Sequence, residues 1–354
     1  MIRVAIRKRL SAAFTLETAF EAGGEGTLGI LGRSGSGKSM SLKCVAGLET
    51  PDEGIIMVNG RVLFDSAAKI NVPPQKRRVG YLFQHYALFP RMTVLQNIMA
   101  PLNSKKNGSR SAKREKARVL IEQFSLSGLE NRLPGEISGG QQQRCALARL
   151  LITGPELILL DEPFSALDAE LREKMQTEFL GILRAFPHAI LVTHSRDEAY
   201  KLCREIAVMD NGRIVKQAET KALFAHPETV FAAEITGCKN ISPIKRLSGN
   251  EVYALSWGLR LTTQDPVDDA VTHIGIRAHD FTLPKDGDTL NTVRLRVSLE
   301  NEEPFEKAVL FSNKDAQAAT EQKELWWKFS KYLHRAIPPK LHIPPANILL
   351  LKNN

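Results

Sequence analysis

The sequence predicts an α/β protein built on a largely parallel sheet, with a helical insert and a small all-β region behind it. Three observations carry this. Over residues 1–235 short β-type runs alternate with helical patterns, as in a sheet covered by helices. Between about 85 and 140 the pattern turns mostly helical around a polar stretch. From 236 to 354 short apolar pieces are separated by Gly, Pro, Asp and Asn, the texture of a small all-β accessory domain.

In the first region strands are expected at Thr27–Leu31, Ile55–Val58, Arg78–Phe83, Leu157–Leu160, Ala189–Thr193 and Ile206–Asp210. Asp210–Arg213 (DNGR) places Asn-Gly between apolar runs, a hairpin signal. The insert NSKKNGSRSAKREKAR has the composition of a loop leading into a charged helix face. In the second region strands are expected at Val252–Trp257, Thr272–Ile276, Thr292–Val297, Ala308–Phe311 and Ile348–Leu351. Pro338–Pro339 and Pro344–Pro345 mark late turns, and at least one of the adjacent Trp326 and Trp327 should pack against the core.

A chain of 354 residues suits two or three domains, and 43% hydrophobic with 25% charged residues excludes disorder. No apolar run approaches the roughly 20 residues of a membrane-crossing helix. The start, MIRVAIRKRLS, lacks the apolar stretch of a signal peptide. The chain is therefore expected in the cytosol, held at a membrane only through a partner. Cys44, Cys145, Cys203 and Cys238 are scattered without a CxxC pair, so neither a disulfide framework nor a zinc site is expected. The net charge of +9 is spread along the chain, with short clusters at Arg7–Arg9, Lys76–Arg78 and Lys105–Arg118. That spread reads as a solvated basic surface, and no nucleic-acid partner is expected.

Three motifs carry chemistry. Gly32, Arg33, Ser34, Gly35, Ser36, Gly37, Lys38 and Ser39 fit G-x-x-x-x-G-K-[ST] between an apolar strand and a helical pattern. Glycines let backbone N–H groups approach phosphate, Lys38 supplies charge to the β- and γ-phosphates of a nucleoside triphosphate, and Ser39 can bind Mg²⁺. Leu157–Pro163 (LILLDEP) is a strand ending in two acids. Asp161 is placed to hold the metal and Glu162 to polarise an attacking water. In Ile137–Arg144 (ISGGQQQR), Ser138, Gly139, Gly140 and Gln141 begin a second anion-binding helix. One chain has no need of two cradles around one nucleotide. A homodimer does, with each ATP clasped between one chain's first motif and the other's second.

These residues, with Gln84 in YLFQHYALFP, Ser165–Asp168 (SALD) and His194 in LVTHS, resemble the ATPase subunits of ABC transporters from Met1 to about 235. The resemblance implies that Gln84 bonds Mg²⁺ and the attacking water, that His194 contacts the γ-phosphate, and that Asp168 couples the two sites of the dimer. It implies an aromatic residue stacked on adenine, for which Phe14 is the candidate and Phe20 the rival. Two positions depart from the family pattern: Ile137 stands where Leu is usual, and Ser195 where an acid is usual. The partners implied are two integral membrane permease subunits and, indirectly, an extracytoplasmic substrate-binding protein. The place implied is the cytoplasmic face of the membrane. Tyr86–Pro90, an apolar aromatic stretch beside Gln84, and the helical region that follows it are expected to dock on the permease.

The stretch Asn59–Pro90 is similar to importer ATPases, especially those for molybdate and sulfate. Gly237–Ile244, Gly275–Leu283 and Ile343–Leu351 are similar to the C-terminal β-barrel regulatory domain of that group. Molybdate is thus the expected cargo, with sulfate, sugar, polyamine or iron as alternatives. A non-transport ABC ATPase is the alternative of a different class; it would carry a long coiled-coil insert or tandem ATPase units, and the sequence shows neither.

Overall fold

The computed structural model describes residues 1–102, 109–165, 167–186, 188–285, 290–316, 323–332 and 336–353. The polar insert at 103–108 and Ala166 of the Ser165–Asp168 motif lie outside them. Contacts divide the chain into two compact units, Met1–Thr220 and Lys221–Asn354.

The first unit begins with β1 (Ile2–Arg9), β2 (Thr15–Ala22), β3 (Gly26–Gly32), α1 (Lys38–Ala46), β4 (Glu53–Val58), β5 (Arg61–Asp65), β6 (Ile70–Asn71) and β7 (Val79–Leu82). It continues with α2 (Val94–Met99), α3 (Arg110–Gln123), α4 (Gly139–Leu151), β8 (Leu157–Asp161), α5 (Ala169–Ala185), β9 (His188–Thr193), α6 (Arg196–Leu202), β10 (Glu205–Asp210) and β11 (Arg213–Glu219). Two sheets form. One is antiparallel, ordered β2-β1-β4-β5-β6; the other runs β11-β10-β3-β9-β8-β7 and is parallel apart from the β10–β11 hairpin. Ile55–Val58, expected with the parallel strands, therefore belongs to the antiparallel sheet.

β1 and β2 were not anticipated, although their pattern is visible. Ile2, Val4 and Ile6 face the core while Arg3 and Arg7 face solvent, the period of two that marks a half-buried strand. These residues, with Leu16 and Phe20, pack against α1 side chains Leu42 and Val45 and parallel-sheet residues such as Ile30, Leu159 and Ile190. The hairpin expected at Asp210–Arg213 forms, with Asn211 and Gly212 at φ 43° and 82°, as a type I′ turn requires. α2 packs on α3 and α4 as a helical group between β7 and β8.

One basic cluster departs from the expected solvated surface. Arg77 is 1% exposed, and its guanidinium donates to the carbonyls of Cys44 and Val45 at 2.8 Å each, Val72 at 2.7 Å and the Asn71 side chain at 3.0 Å. It satisfies carbonyls at the C-terminus of α1, where a cation is also favoured by the helix dipole. All four cysteines are buried and free. Burial pushes the Cys44 and Cys238 thiols up to about 11 and Cys145 to about 12. Thiols held that high stay protonated and unreactive at neutral pH.

In the second unit, α7 (Thr220–Ala225) and α8 (Val230–Ile235) precede β12 (Asn240–Ser248), β13 (Glu251–Ala254), β14 (Leu259–Thr262), β15 (His273–Ile276), β16 (Thr292–Glu302), β17 (Glu306–Asn313), β18 (Leu325–Ser330), β19 (Lys340–His342) and β20 (Leu349–Leu351). They form sheets ordered β14-β13-β12-β15-β20 and β18-β17-β16-β19 around one core that includes Trp257, Ile274, Phe311 and Trp327. Asn240 bridges the two sheets. Its side chain donates to Ile276 and Trp326 carbonyls and accepts from the Trp326 N–H at 2.6 Å. Of the tryptophan pair, Trp327 is buried at 1% exposure, and Trp326 carries the Lys239 ammonium 4.2 Å over its ring. Among the described residues no helix is long and apolar enough to cross a membrane.

Candidate functional site

β3, β9, β8 and β7 are consecutive parallel neighbours, so their C-terminal ends open along one edge. That edge is where open α/β sheets bind ligands. Each strand delivers one motif there: β3 the Gly32–Ser39 loop, β8 Asp161 and Glu162, β9 Thr193 and His194, and β7 the segment reaching Gln84. Residues distant in sequence thus meet because the strands share a direction.

The Gly32–Ser39 loop has little freedom in its residue types. A Cβ on Gly32 would lie 2.3 Å from the Met209 carbonyl oxygen. Gly37, the residue before α1, sits at φ 101°, a conformation open chiefly to glycine. Lys38 is 4% exposed and donates to the carbonyls of Gly32 at 2.9 Å and Arg33 at 2.8 Å. Burial draws its pKa below the usual lysine range, opposed by the nearby Glu162 and Asp161. The Ser36 hydroxyl is buried without a hydrogen-bond partner among the described residues, a donor available to a phosphate oxygen. A groove of about 310 Å³ borders the loop, lined by Phe14, Ser34, Gly35, Lys38, Ser39 and Glu162 among others. Phe14 therefore lies on the groove, whereas its rival Phe20 is 3% exposed in the core.

At the far wall the Ser39 hydroxyl donates to Asp161 Oδ1 at 2.7 Å, and the Tyr81 hydroxyl donates to Asp161 Oδ2 at 2.8 Å. Burial, reinforced by Asp161, raises the Tyr81 pKa well above the phenol range, so Tyr81 acts as a donor. A serine hydroxyl beside a buried carboxylate is the hard-oxygen donor set that suits Mg²⁺. Glu162 has φ 46° immediately before Pro163, a left-handed conformation that costs backbone energy and is found at functional sites. Its Oε2 lies 3.3 Å from His194 Nδ1. Gln84 is exposed beyond β7.

The second motif is built differently. Ser138 caps α4, its Oγ accepting from the Gln141 N–H at 3.3 Å while Gln141 Oε1 accepts from the Ser138 N–H at 2.8 Å. This reciprocal capping box orients the N-terminus of α4, with Gly139 and Gly140 in its first turn. None of Ser138, Gly139, Gly140 and Gln141 lines the Phe14–Glu162 groove. Asp168 caps α5, accepting from the Leu171 N–H at 2.9 Å. Within one chain the two cradles stand apart.

Thr193, Asn97 and Arg149, which carry no motif signal in the sequence, also shape the site. Thr193 Oγ1 accepts from the Ser195 N–H at 2.9 Å and donates to Glu198 at 2.6 Å, bracketing His194. Ser195 Oγ in turn accepts from the Glu198 N–H at 3.3 Å as the cap of α6. Serine at this position thus does the capping work an acid would do. Beyond Gln84, Tyr86 and Ala87 take positive φ. Arg149 of α4 donates to their carbonyls at 2.7 and 2.8 Å, and the buried Asn97 of α2 accepts from the Phe89 N–H at 2.8 Å. Tyr86 is 5% exposed, which corrects the expectation that the whole Tyr86–Pro90 stretch is presented. Phe83 at 38% and Phe89 at 46% are the aromatic residues on view. They border a groove of about 540 Å³ with Tyr81, Pro101 and Leu150.

A glycine-rich loop running into a helix, a paired-acid strand and a separate capped glycine helix together have the layout of a nucleotide-binding cassette. The ABC transporter family profile matches residues 17–165. The sulfate/thiosulfate import ATP-binding protein of Chromobacterium violaceum is 38% identical over 270 residues, covering 76% of this chain and 71% of that protein. The spermidine/putrescine import ATP-binding protein of Nitrosomonas europaea is 39% identical over 246 residues, 68% of this chain and 65% of that one. The Fe(3+) ions import ATP-binding protein of Brucella abortus is 38% identical over 261 residues, 72% and 71% respectively. Among solved structures, a dimeric ATP-binding cassette in a post-hydrolysis state with ADP and Pi superposes with TM-score 0.53 at 26% identity, covering 62% of this chain and 99% of that one. The chain belongs to the ATP-binding family of ABC transporters.

Proposed function

We propose that this chain is the ATP-hydrolysing subunit of an importer, that it works as a homodimer at the cytoplasmic face of the membrane, and that it drives two separate permease subunits. Residues 1–235 form its ATPase domain and 236–354 an accessory, regulatory domain. The observation that carries the reading is the meeting of Lys38, Ser39, Asp161, Glu162 and His194 at one sheet edge.

In this reading the Gly32–Ser39 backbone and the Lys38 ammonium hold the phosphates, and Phe14 stacks on adenine. Ser39, Asp161 and Gln84 hold Mg²⁺, which when bound neutralises phosphate charge. Glu162 orients the attacking water and accepts its proton, and His194, placed by Thr193 and Ser195, contacts the γ-phosphate. Ser138, Gly139, Gly140 and Gln141 of a second copy close over the nucleotide, and Asp168 links the two sites. Closure follows from contacts that both copies make only when ATP is present. The Phe83–Phe89 groove receives the permease. An extracytoplasmic binding protein supplies the cargo to that permease.

For the cargo, the relatives favour the alternatives over molybdate: the three above are named for sulfate/thiosulfate, spermidine/putrescine and Fe(3+). Sulfate or thiosulfate is the first cargo to test, since the Asn59–Pro90 stretch and one of these relatives both point to oxyanions. The experiment is uptake of labelled sulfate, spermidine, ferric iron and molybdate by cells with and without the gene, complemented by wild type or Lys38→Ala. Loss of sulfate uptake, restored by wild type and not by Lys38→Ala, is the expected outcome. Unchanged uptake of all four would remove the importer reading for these cargoes.

A further inference from the structure

We propose that Tyr81 is a positioning residue for the metal carboxylate Asp161, fixing the rotation of that carboxylate through its outer oxygen. The inference rests on the reading of Asp161 as a Mg²⁺ ligand. Tyr81 lies opposite Leu159 in the parallel β7–β8 register. Side chains alternate along a strand, so Leu159 and Asp161 share a face and Tyr81 reaches Asp161 diagonally. The Asp161 carboxylate is then held at both ends, Oδ1 by the Ser39 hydroxyl at 2.7 Å and Oδ2 by the Tyr81 hydroxyl at 2.8 Å. Asp161 itself is 7% exposed, so protein donors rather than bulk water set its orientation. The Tyr81 ring is anchored independently of that bond, with its centroid 4.5 Å from the Phe83 ring and its body against the core. A rigid ring that presents one donor to the far oxygen of a ligating carboxylate is the arrangement by which outer partners tune metal affinity.

Tyr81→Phe tests this by removing one hydroxyl and keeping the ring. The full-length chain is titrated with MgCl₂ at fixed fluorescent ATP analogue, and analogue binding is measured separately in EDTA. Loss of such an outer partner weakens metal affinity by about 10–100-fold. The expected result is a rise of that order in the half-saturating Mg²⁺ concentration, with metal-free binding within about twofold of wild type and a cooperative melt retained. A Mg²⁺ requirement changed by less than about twofold, or an equal loss with and without metal, overturns the proposal. Asp161→Asn run alongside separates the two levels. If it loses the Mg²⁺ dependence and Tyr81→Phe does not, the positioning role fails and the ligand role stands. If Asp161→Asn keeps the full dependence, both fail.

Discussion

In the proposed mechanism Glu162 is the general base. Its backbone is held in a left-handed conformation and its Oε2 lies 3.3 Å from His194 Nδ1, so the base of the proposed mechanism and the proposed γ-phosphate contact stand side by side. Glu162→Gln keeps the shape and removes the base. The expected outcome is a fall in ATP hydrolysis of about 10²–10⁴-fold with ATP binding retained, checked by phosphate release beside equilibrium nucleotide binding. Ser195 shows how a departure from the family pattern can be neutral. Because it caps α6 through Oγ, Ser195→Asp should leave the denaturation midpoint near wild type. Ser195→Ala should lower stability by about 1 kcal/mol, read from urea unfolding. Equal stability of all three would show that the cap carries no energy.

Elements explain what single residues cannot. α1 begins in the phosphate loop and ends on Arg77, whose guanidinium makes hydrogen bonds to Cys44, Val45, Val72 and Asn71. Arg77→Ala takes from the buried Val45 carbonyl its guanidinium partner, at about 1–3 kcal/mol for such a group. A loss of at least that size in urea unfolding is expected, whereas Lys76→Ala, altering an exposed side chain, should change stability by less than about 0.5 kcal/mol. α4 likewise serves two places at once. Its N-terminus carries Ser138 and its last turns carry Arg149, which grips the loop after Gln84. Arg149→Ala is expected to spare basal hydrolysis within about threefold and to weaken permease coupling, measured as stimulation of hydrolysis in the assembled transporter.

The sequence was informative where the backbone itself dictates residue type. Gly32 and Gly37 are required by a close carbonyl and a positive φ, so the loop appears in the sequence as fixed residues at fixed spacing. Asn211–Gly212 was legible for the same reason. Arg77, Tyr81, Arg149 and Thr193 were not, because their roles depend on which strand or helix becomes a neighbour. Arg77 looks in sequence like one more surface cation, and only the fold of α1 above it makes it a buried cap. β1 is masked for another reason: its arginines read as charged surface, while the alternating Ile2, Val4 and Ile6 carry the strand signal.

At the scale of the whole molecule, the proposed ATP site is incomplete within one chain. In the proposed function the Phe14–Glu162 groove is one half of a nucleotide site, and the Ser138 cap, which does not line that groove, is the other. A second copy supplying its Ser138 helix would complete both sites at once, which makes ATP the agent that joins the subunits. The second unit has its own core of Trp257, Ile274, Phe311 and Trp327. Sedimentation of Glu162→Gln, which binds ATP without consuming it, tests the claim most directly. With saturating ATP and Mg²⁺ the mass should be twice that of the 39.3 kDa chain and should return to a single chain when ADP replaces ATP; a single-chain mass under saturating ATP would contradict the shared site.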